Sequence, residues 1–237
     1  MEFGDRYHVS MDFSSPLIIT NFKTYEGSTG LKALELAKIH EKVSKETGVS
    51  MAVAVQLADL RMIAEAVSIP VFAQHIDAVR FGANTGYVLP EAVKEAGAYG
   101  TLLNHSERQI SMDLLKASIE AAQAVGLMVV ACAQDHDEAA QVLCMRPEWV
   151  AVEPLDLIGG DVSVSTSKPE LIRATVELHG GNSTTLVGAG VKNADDVRIA
   201  LELGACGVLL ASGVIKADDP EAVLRDLAQG ALSARPI

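Results

Sequence analysis

Aromatic residues are scarce in this chain, only 4% of 237 residues, although 49% of it is hydrophobic. A core of that composition must be built from Val, Leu, Ile and Ala, as parallel sheets covered by helices are. Cysteine is sparser still. Cys132, Cys144 and Cys206 lie inside apolar segments with no Cys-x-x-Cys or Cys/His ligand spacing. They read as reduced, buried small hydrophobes of a cytoplasmic protein and offer no metal site. Positive charge is in deficit: 19 Lys and Arg against 31 Asp and Glu leave a net charge of -12. That balance excludes nucleic acid as the expected partner, because neutralising phosphates takes clustered Lys and Arg. No apolar run approaches the roughly 18 residues that a membrane span requires, so no membrane partner is expected either. Residues 1–15 are polar and lack the apolar centre of a secretory signal. They are set apart as an N-terminal tail, and residues 16–237 are expected to form the folded domain.

A Gly-x-Gly-x-x-Gly turn is also missing after the first apolar run, where Asn21-Phe22-Lys23-Thr24 stands instead. Its absence counts against a doubly wound dinucleotide-binding sheet. What is present is a repeated unit. Helical stretches end at Gly48, Gly97, Gly126 and Gly204, each leading into an apolar strand. Strands are expected at Leu17–Phe22, Met51–Val55, Val71–Ala73, Gly100–Leu103, Met128–Ala131, Trp149–Val152, Thr185–Val187 and Val208–Leu210. Helical periodicity fills the intervals, as in Leu115, Ile119 and Ala122. With no linker or composition shift, the economical reading is a single (β/α)8 barrel.

In such barrels the chemistry gathers where strands end. After the first strand come Asn21 and Lys23, and strand alternation sends both to the same side. The fourth delivers His105, then Ser106, Glu107 and Arg108, at the handover from strand to helix. The positive end of a helix disfavours imidazolium, so a histidine there suits a neutral hydrogen-bond donor. The sixth strand delivers Glu153, directly after three apolar residues and before Pro154. A carboxylate in that setting is unfavourable unless it is paired or acts as a base. The seventh and eighth end in Gly188-Ala189-Gly190 and Ala211-Ser212-Gly213, small residues that let backbone N–H groups approach an anion. Both loops in register point to a phosphate-bearing ligand.

Seven segments taken in order resemble the triosephosphate isomerase family, and its shorter archaeal branch in particular. They are Asn21-Phe22-Lys23, Ala73-Gln74-His75, Asn84-Thr85-Gly86, Asn104-His105-Ser106-Glu107-Arg108, Glu153-Pro154, Gly188-Ala189-Gly190 and Ala211-Ser212-Gly213. The resemblance implies a TIM barrel that interconverts glycerone phosphate and D-glyceraldehyde 3-phosphate, in glycolysis and gluconeogenesis, without metal or organic cofactor. It implies Glu153 as base, His105 as electrophile, and Lys23 and Asn21 as their catalytic company. Substrate binding is implied for Asn21, Phe22, Lys23, Ile158, Gly159, Gly190, Ala211 and Ser212, with the segment from Pro154 to about Lys168 as a closing lid. A homodimer or homotetramer is implied as well. The loop Phe81–Tyr87 would reach into a neighbouring subunit, and Leu114, Leu115, Val142, Leu143 and Met145 would give the helices after strands 4 and 5 an apolar surface. Departures lie at Gly160-Asp161 in the lid tip, at Asp156 where relatives carry tryptophan, and at Gln109. Two other readings stay open on the residues alone. Another sugar-phosphate barrel enzyme would keep the phosphate loops without needing Asn21, Lys23, His105 and Glu153 together. A non-catalytic phosphate-binding protein would have no use for the base.

Overall fold

A computed structural model of the chain describes residues 16–157, 163–178 and 184–235. The tail at residues 1–15, with the expectation placed on it, lies outside them. Strands and helices alternate throughout: β1 (Leu17–Asn21), α1 (Leu31–Thr47), β2 (Ser50–Val55), α2 (Leu57–Ala66), β3 (Val71–Ala73), α3 (Pro90–Glu95), β4 (Gly100–Leu103), α4 (Met112–Ala124), β5 (Met128–Ala133), α5 (His136–Leu143) and β6 (Trp149–Val152). The series continues with α6 (Val164–Ser167), α7 (Pro169–Glu177), β7 (Thr185–Gly188), α8 (Ala194–Glu202), β8 (Gly207–Leu210), α9 (Ser212–Ile215) and α10 (Pro220–Ser233). Every strand pairs in parallel with its neighbour, and β8 pairs with β1, so the sheet closes into the expected eight-stranded barrel. The four glycines expected to end helices have φ between 74° and 96°.

Each strand divides its side chains between two cores. Leu17, Ile19, Ala52, Ala54, Phe72, Leu102, Val130, Cys132, Trp149, Ala151, Leu186 and Leu209 fill the barrel itself. The alternate residues, among them Ile18, Val53, Leu103, Val129, Val150 and Val187, pack outward under the helices. This division follows from the two-residue period of a pleated strand. Two of the few aromatics serve the inner core: Phe72 meets Trp149 edge-on, with centroids 6.3 Å apart. Gly100 makes room for that ring, since a Cβ there would sit 2.5 Å from Phe72 Cε1.

Three expectations are corrected. Cys144 is exposed, because it sits just past the end of α5 and off the buried stripe of Ala139 and Val142, and Cys206 is only partly buried. Leu115 and Val142 belong to the outer core, with Leu143 and Met145 packed against it, so of the five apolar residues proposed for a surface only Leu114 is exposed. The helix expected right after His105 is a single 3-10 turn, Ser106–Arg108. The α-helix starts only at Met112, where Ser111 accepts a hydrogen bond from the Leu114 N–H.

One buried group ties stability to pH. His40 on α1 is fully buried, with Nδ1 2.8 Å from the Leu36 carbonyl and Nε2 2.8 Å from Thr20 Oγ1. The carbonyl can only accept, so Nδ1 carries the proton and Nε2 accepts from the threonine hydroxyl. Burial pushes the His40 pKa down to about 4. The unfolded chain takes up a proton as pH falls through about 6.5, the folded chain only near 4, so stability is lost between those values. Between pH 7 and pH 4.5 the loss from this residue amounts to about 2–3 kcal/mol. Urea unfolding of His40→Gln is expected to show a pH dependence smaller than the wild type by that amount, and equal slopes would refute the assignment.

Candidate active site

At the carboxyl ends of the strands, Asn21, Lys23, His105, Glu153, Gly190, Ala211 and Ser212 line one pocket. Inward alternation brings three of them there directly. Asn21 continues Leu17 and Ile19, Glu153 continues Trp149 and Ala151, and Ala211 continues Leu209. Lys23 arrives differently, because it lies beyond β1 with φ 47°, a left-handed backbone rather than a pleat. That conformation is held by its neighbours: Asn21 Oδ1 accepts from the Lys23 N–H at 3.0 Å, and Gln74 Nε2 donates to the Lys23 carbonyl at 3.0 Å. Lys23 Nζ then reaches Glu107 Oε1 at 2.9 Å.

The histidine's hydrogen bonds fix its tautomer. His105 Nδ1 accepts from the Glu107 N–H at 3.1 Å, so the proton resides on Nε2. That nitrogen faces Glu153 Oε2 across 3.7 Å. Both side chains are buried, and Glu153 Oε2 has no hydrogen-bond partner. A buried carboxylate oxygen left without a donor is unfavourable in a resting core and is what a base needs. Cys132 lies beneath. Burial pushes its thiol pKa well up, and the adjacent Glu153 and Glu138 carboxylates add to the shift.

Not every expected residue comes to the pocket. The Phe22 side chain turns outward by alternation and packs against the His40 ring at 5.7 Å, so that side chain belongs to the outer core and does not line the pocket. Ile158 and Gly159 lie outside the described residues, as does Gly160-Asp161. Asp156 forms an ion pair with Lys168 Nζ at 2.7 Å, and that hydrogen bond holds its carboxyl below the usual range. Other residues take parts that the sequence did not announce. Tyr25 and Lys192 also line the pocket. Gly188, read as part of a phosphate loop, also makes room for the Glu153 side chain: a Cβ there would lie 2.4 Å from Glu153 Cγ and 2.6 Å from Oε1. Its inward position, two residues after Leu186, is the signal that could have shown this. No group of His, Cys, Asp and Glu among the described residues is arranged to hold a metal ion.

A closed parallel barrel with a carboxylate, an imidazole and an ammonium group converging at its strand ends has the architecture of a (β/α)8 enzyme. Known proteins make the class specific. The family model described as triosephosphate isomerase matches residues 16–229. A protein named triosephosphate isomerase from Methanobacterium bryantii is 48% identical over 216 residues, covering 90% of this chain and 96% of that protein. One of the same name from Methanocaldococcus jannaschii is 45% identical over 215 residues, covering 89% and 98%. Another from Metallosphaera sedula is 44% identical over 221 residues, covering 92% and 97%. The chain belongs to the triosephosphate isomerase family.

Because Gly188 makes the space for Glu153, adding one methyl group should displace the carboxylate. Gly188→Ala is expected to lower the kcat for triose phosphate isomerisation by about a hundredfold with the fold retained, since misplacement by about 1 Å has that cost. A kcat within threefold of wild type, with circular dichroism unchanged, would contradict the seating role.

Proposed function

We propose that this chain interconverts glycerone phosphate and D-glyceraldehyde 3-phosphate, with Glu153 as base and His105 as electrophile. The observation that carries this reading is the unpartnered, buried Oε2 of Glu153 facing the protonated Nε2 of His105 at 3.7 Å. A substrate carbon beside a carbonyl, placed between them, loses its proton to Glu153. The electron pair of the broken C–H bond forms the C=C bond of an enediolate, and the former carbonyl oxygen takes the negative charge. His105 Nε2–H supports that oxygen and passes a proton between the two enediol oxygens. Glu153 then returns its proton to the neighbouring carbon. No oxidant or reductant enters the sequence, and substrate and product are isomers.

Lys23 and Asn21 complete the polar side of the pocket. The ammonium group, oriented by Glu107, supplies positive charge within reach of the enediolate and phosphate. Opposite, the backbone at Gly190, Ala211 and Ser212 receives the phosphate, at the start of α9 and after the left-handed pair Ala189 and Gly190, with φ 77° and 71°. These local groups outweigh the overall charge of -12 because screening confines charges to a Debye length of roughly 8–10 Å.

The active assembly we propose is a homodimer. The loop between Asp77 and Val88 stands off the barrel with Phe81 and Tyr87 exposed, 74% and 62%. Its feet are pinned, since the Asp77 N–H donates to the Val88 carbonyl at 2.9 Å and Asp77 Oδ2 accepts from the Val88 N–H at 2.7 Å. A cleft lined by Asn21, Lys23, Gln56, Leu57, Gln74 and His75 opens beside the active site and suits the same loop of a second copy. For the homotetramer, the apolar surface expected on the helices after strands 4 and 5 is smaller, with Leu115 and Val142 in the core and Leu114 exposed.

Two measurements test these statements. In a coupled assay, Glu153→Gln is expected to lower kcat by about a thousandfold, within the range for loss of a general base, and retention of more than a tenth of wild-type kcat would remove Glu153 from its role. In light scattering at micromolar concentration the protein should show twice the 25.0 kDa chain mass. A fully active monomer would overturn the dimer, and a fourfold mass would reinstate the tetramer.

A further inference from the structure

The turn that delivers His105 runs against the pleat of its own strand. On β4, Leu102 faces the barrel interior and Leu103 the outer core, so strict alternation would send residue 104 inward and residue 105 outward. The opposite is found: His105 lines the pocket, while the side chain of Asn104 reaches across to β5 and α5. The reversal takes place at Asn104 itself, whose φ is 57°. Asparagine tolerates that left-handed conformation, but glycine would supply it more readily. What asparagine adds is its amide, and all of it is engaged in a nearly fully buried position. Nδ2 donates to the Cys132 carbonyl at 3.0 Å and to Glu138 Oε1 at 2.9 Å, and Oδ1 accepts from the Ile110 N–H at 3.1 Å.

Glu138 is engaged as completely. Its second oxygen accepts from the Gln134 N–H at 2.9 Å, and its own N–H donates to Asp135 Oδ1, the N-cap of α5, at 2.9 Å. A glutamate three residues after an N-cap ordinarily bonds back to the N-cap N–H. Here it reaches one residue further and takes up Asn104 with its other oxygen. The carboxylate thus joins the β4 and β5 loop corners through two charge-assisted hydrogen bonds. The bond to Ile110 closes the loop whose interior holds both His105 and Glu107, the residue that orients Lys23.

We propose that Asn104 and Glu138 form a clamp that positions His105 for the reaction, a role distinct from contact with substrate. The proposal rests on His105 being the electrophile, as above. Asn104→Gly keeps the left-handed turn and deletes the three amide bonds, so it tests the clamp without asking the backbone for a new conformation. It is expected to lower kcat about tenfold with KM within about twofold, as loss of orientation in a pre-organised site does. Glu138→Gln offers a single oxygen to two N–H donors and is expected to show a similar loss. The double variant should be no worse than the worse single one, because both break the same connection. Nitrogen-15 NMR of the His105 ring should show protonated Nε2 in the wild type and a mixture of tautomers in Asn104→Gly, a change that a general weakening of the fold would not produce. A kcat within twofold of wild type for Asn104→Gly, losses confined to KM, or multiplying losses in the double variant would each overturn the clamp. His105→Gln, measured alongside, separates the two claims. Full activity there overturns the electrophile and the clamp with it, whereas loss there beside an unaffected Asn104→Gly overturns the clamp alone.

Discussion

The pleat of eight short parallel strands is the constraint on which everything else in the molecule depends. Side chains alternate strictly, so each strand divides its residues between an inner core and an outer one. Where a strand stops, the next inward position opens on the barrel mouth. Asn21, Glu153, Gly188 and Ala211 owe their places to that rule. The two cationic or proton-donating groups that complete the site, Lys23 and His105, come by the opposite route. Each follows a break in the pleat, at φ 47° for Lys23 itself and φ 57° for Asn104 before His105. Such conformations are unfavourable for residues with a Cβ and persist where surrounding contacts over-determine them. Asn21 and Gln74 provide those contacts in one case, Cys132, Glu138 and Ile110 in the other.

Much of this was legible in the sequence, for a physical reason. Strands buried on both faces read as unbroken apolar runs, and glycine after a helix marks the turn into the next one, so all eight strands fall within two residues of their expected bounds. Polar residues at the ends of such runs, His105 and Glu153 above all, stand out because nothing in a core explains them. What escaped the sequence depends on distance in space rather than along the chain. Asn104 and Glu138 are 34 residues apart, and Gly188 seats a side chain from a neighbouring strand. The outward turn of the Phe22 side chain escaped the motif because a motif carries no parity, whereas a strand does. Cys144 and the apolar residues of α4 and α5 were misjudged because composition does not tell which face of a helix a residue occupies.

Charge is handled locally throughout. Several of the acidic chain's cations are paired: Lys23 with Glu107, Lys168 with Asp156, Lys42 with Glu221 and Arg225 with Glu46. On the surface such pairs contribute little to stability. Beside the pocket, the Lys23 pair has another effect, because it fixes the direction in which a partly buried ammonium group points.

The aromatic floor of the barrel has a spectroscopic consequence. Trp149 is the single tryptophan of the chain and is buried edge-on to Phe72 in the inner core, which is formed by residues of all eight strands. Its emission therefore reports on the integrity of the ring of strands as a whole. Opening the inner core around it would admit water to the indole. The protein thus carries, at the end of the barrel opposite its chemistry, an intrinsic optical gauge of closure.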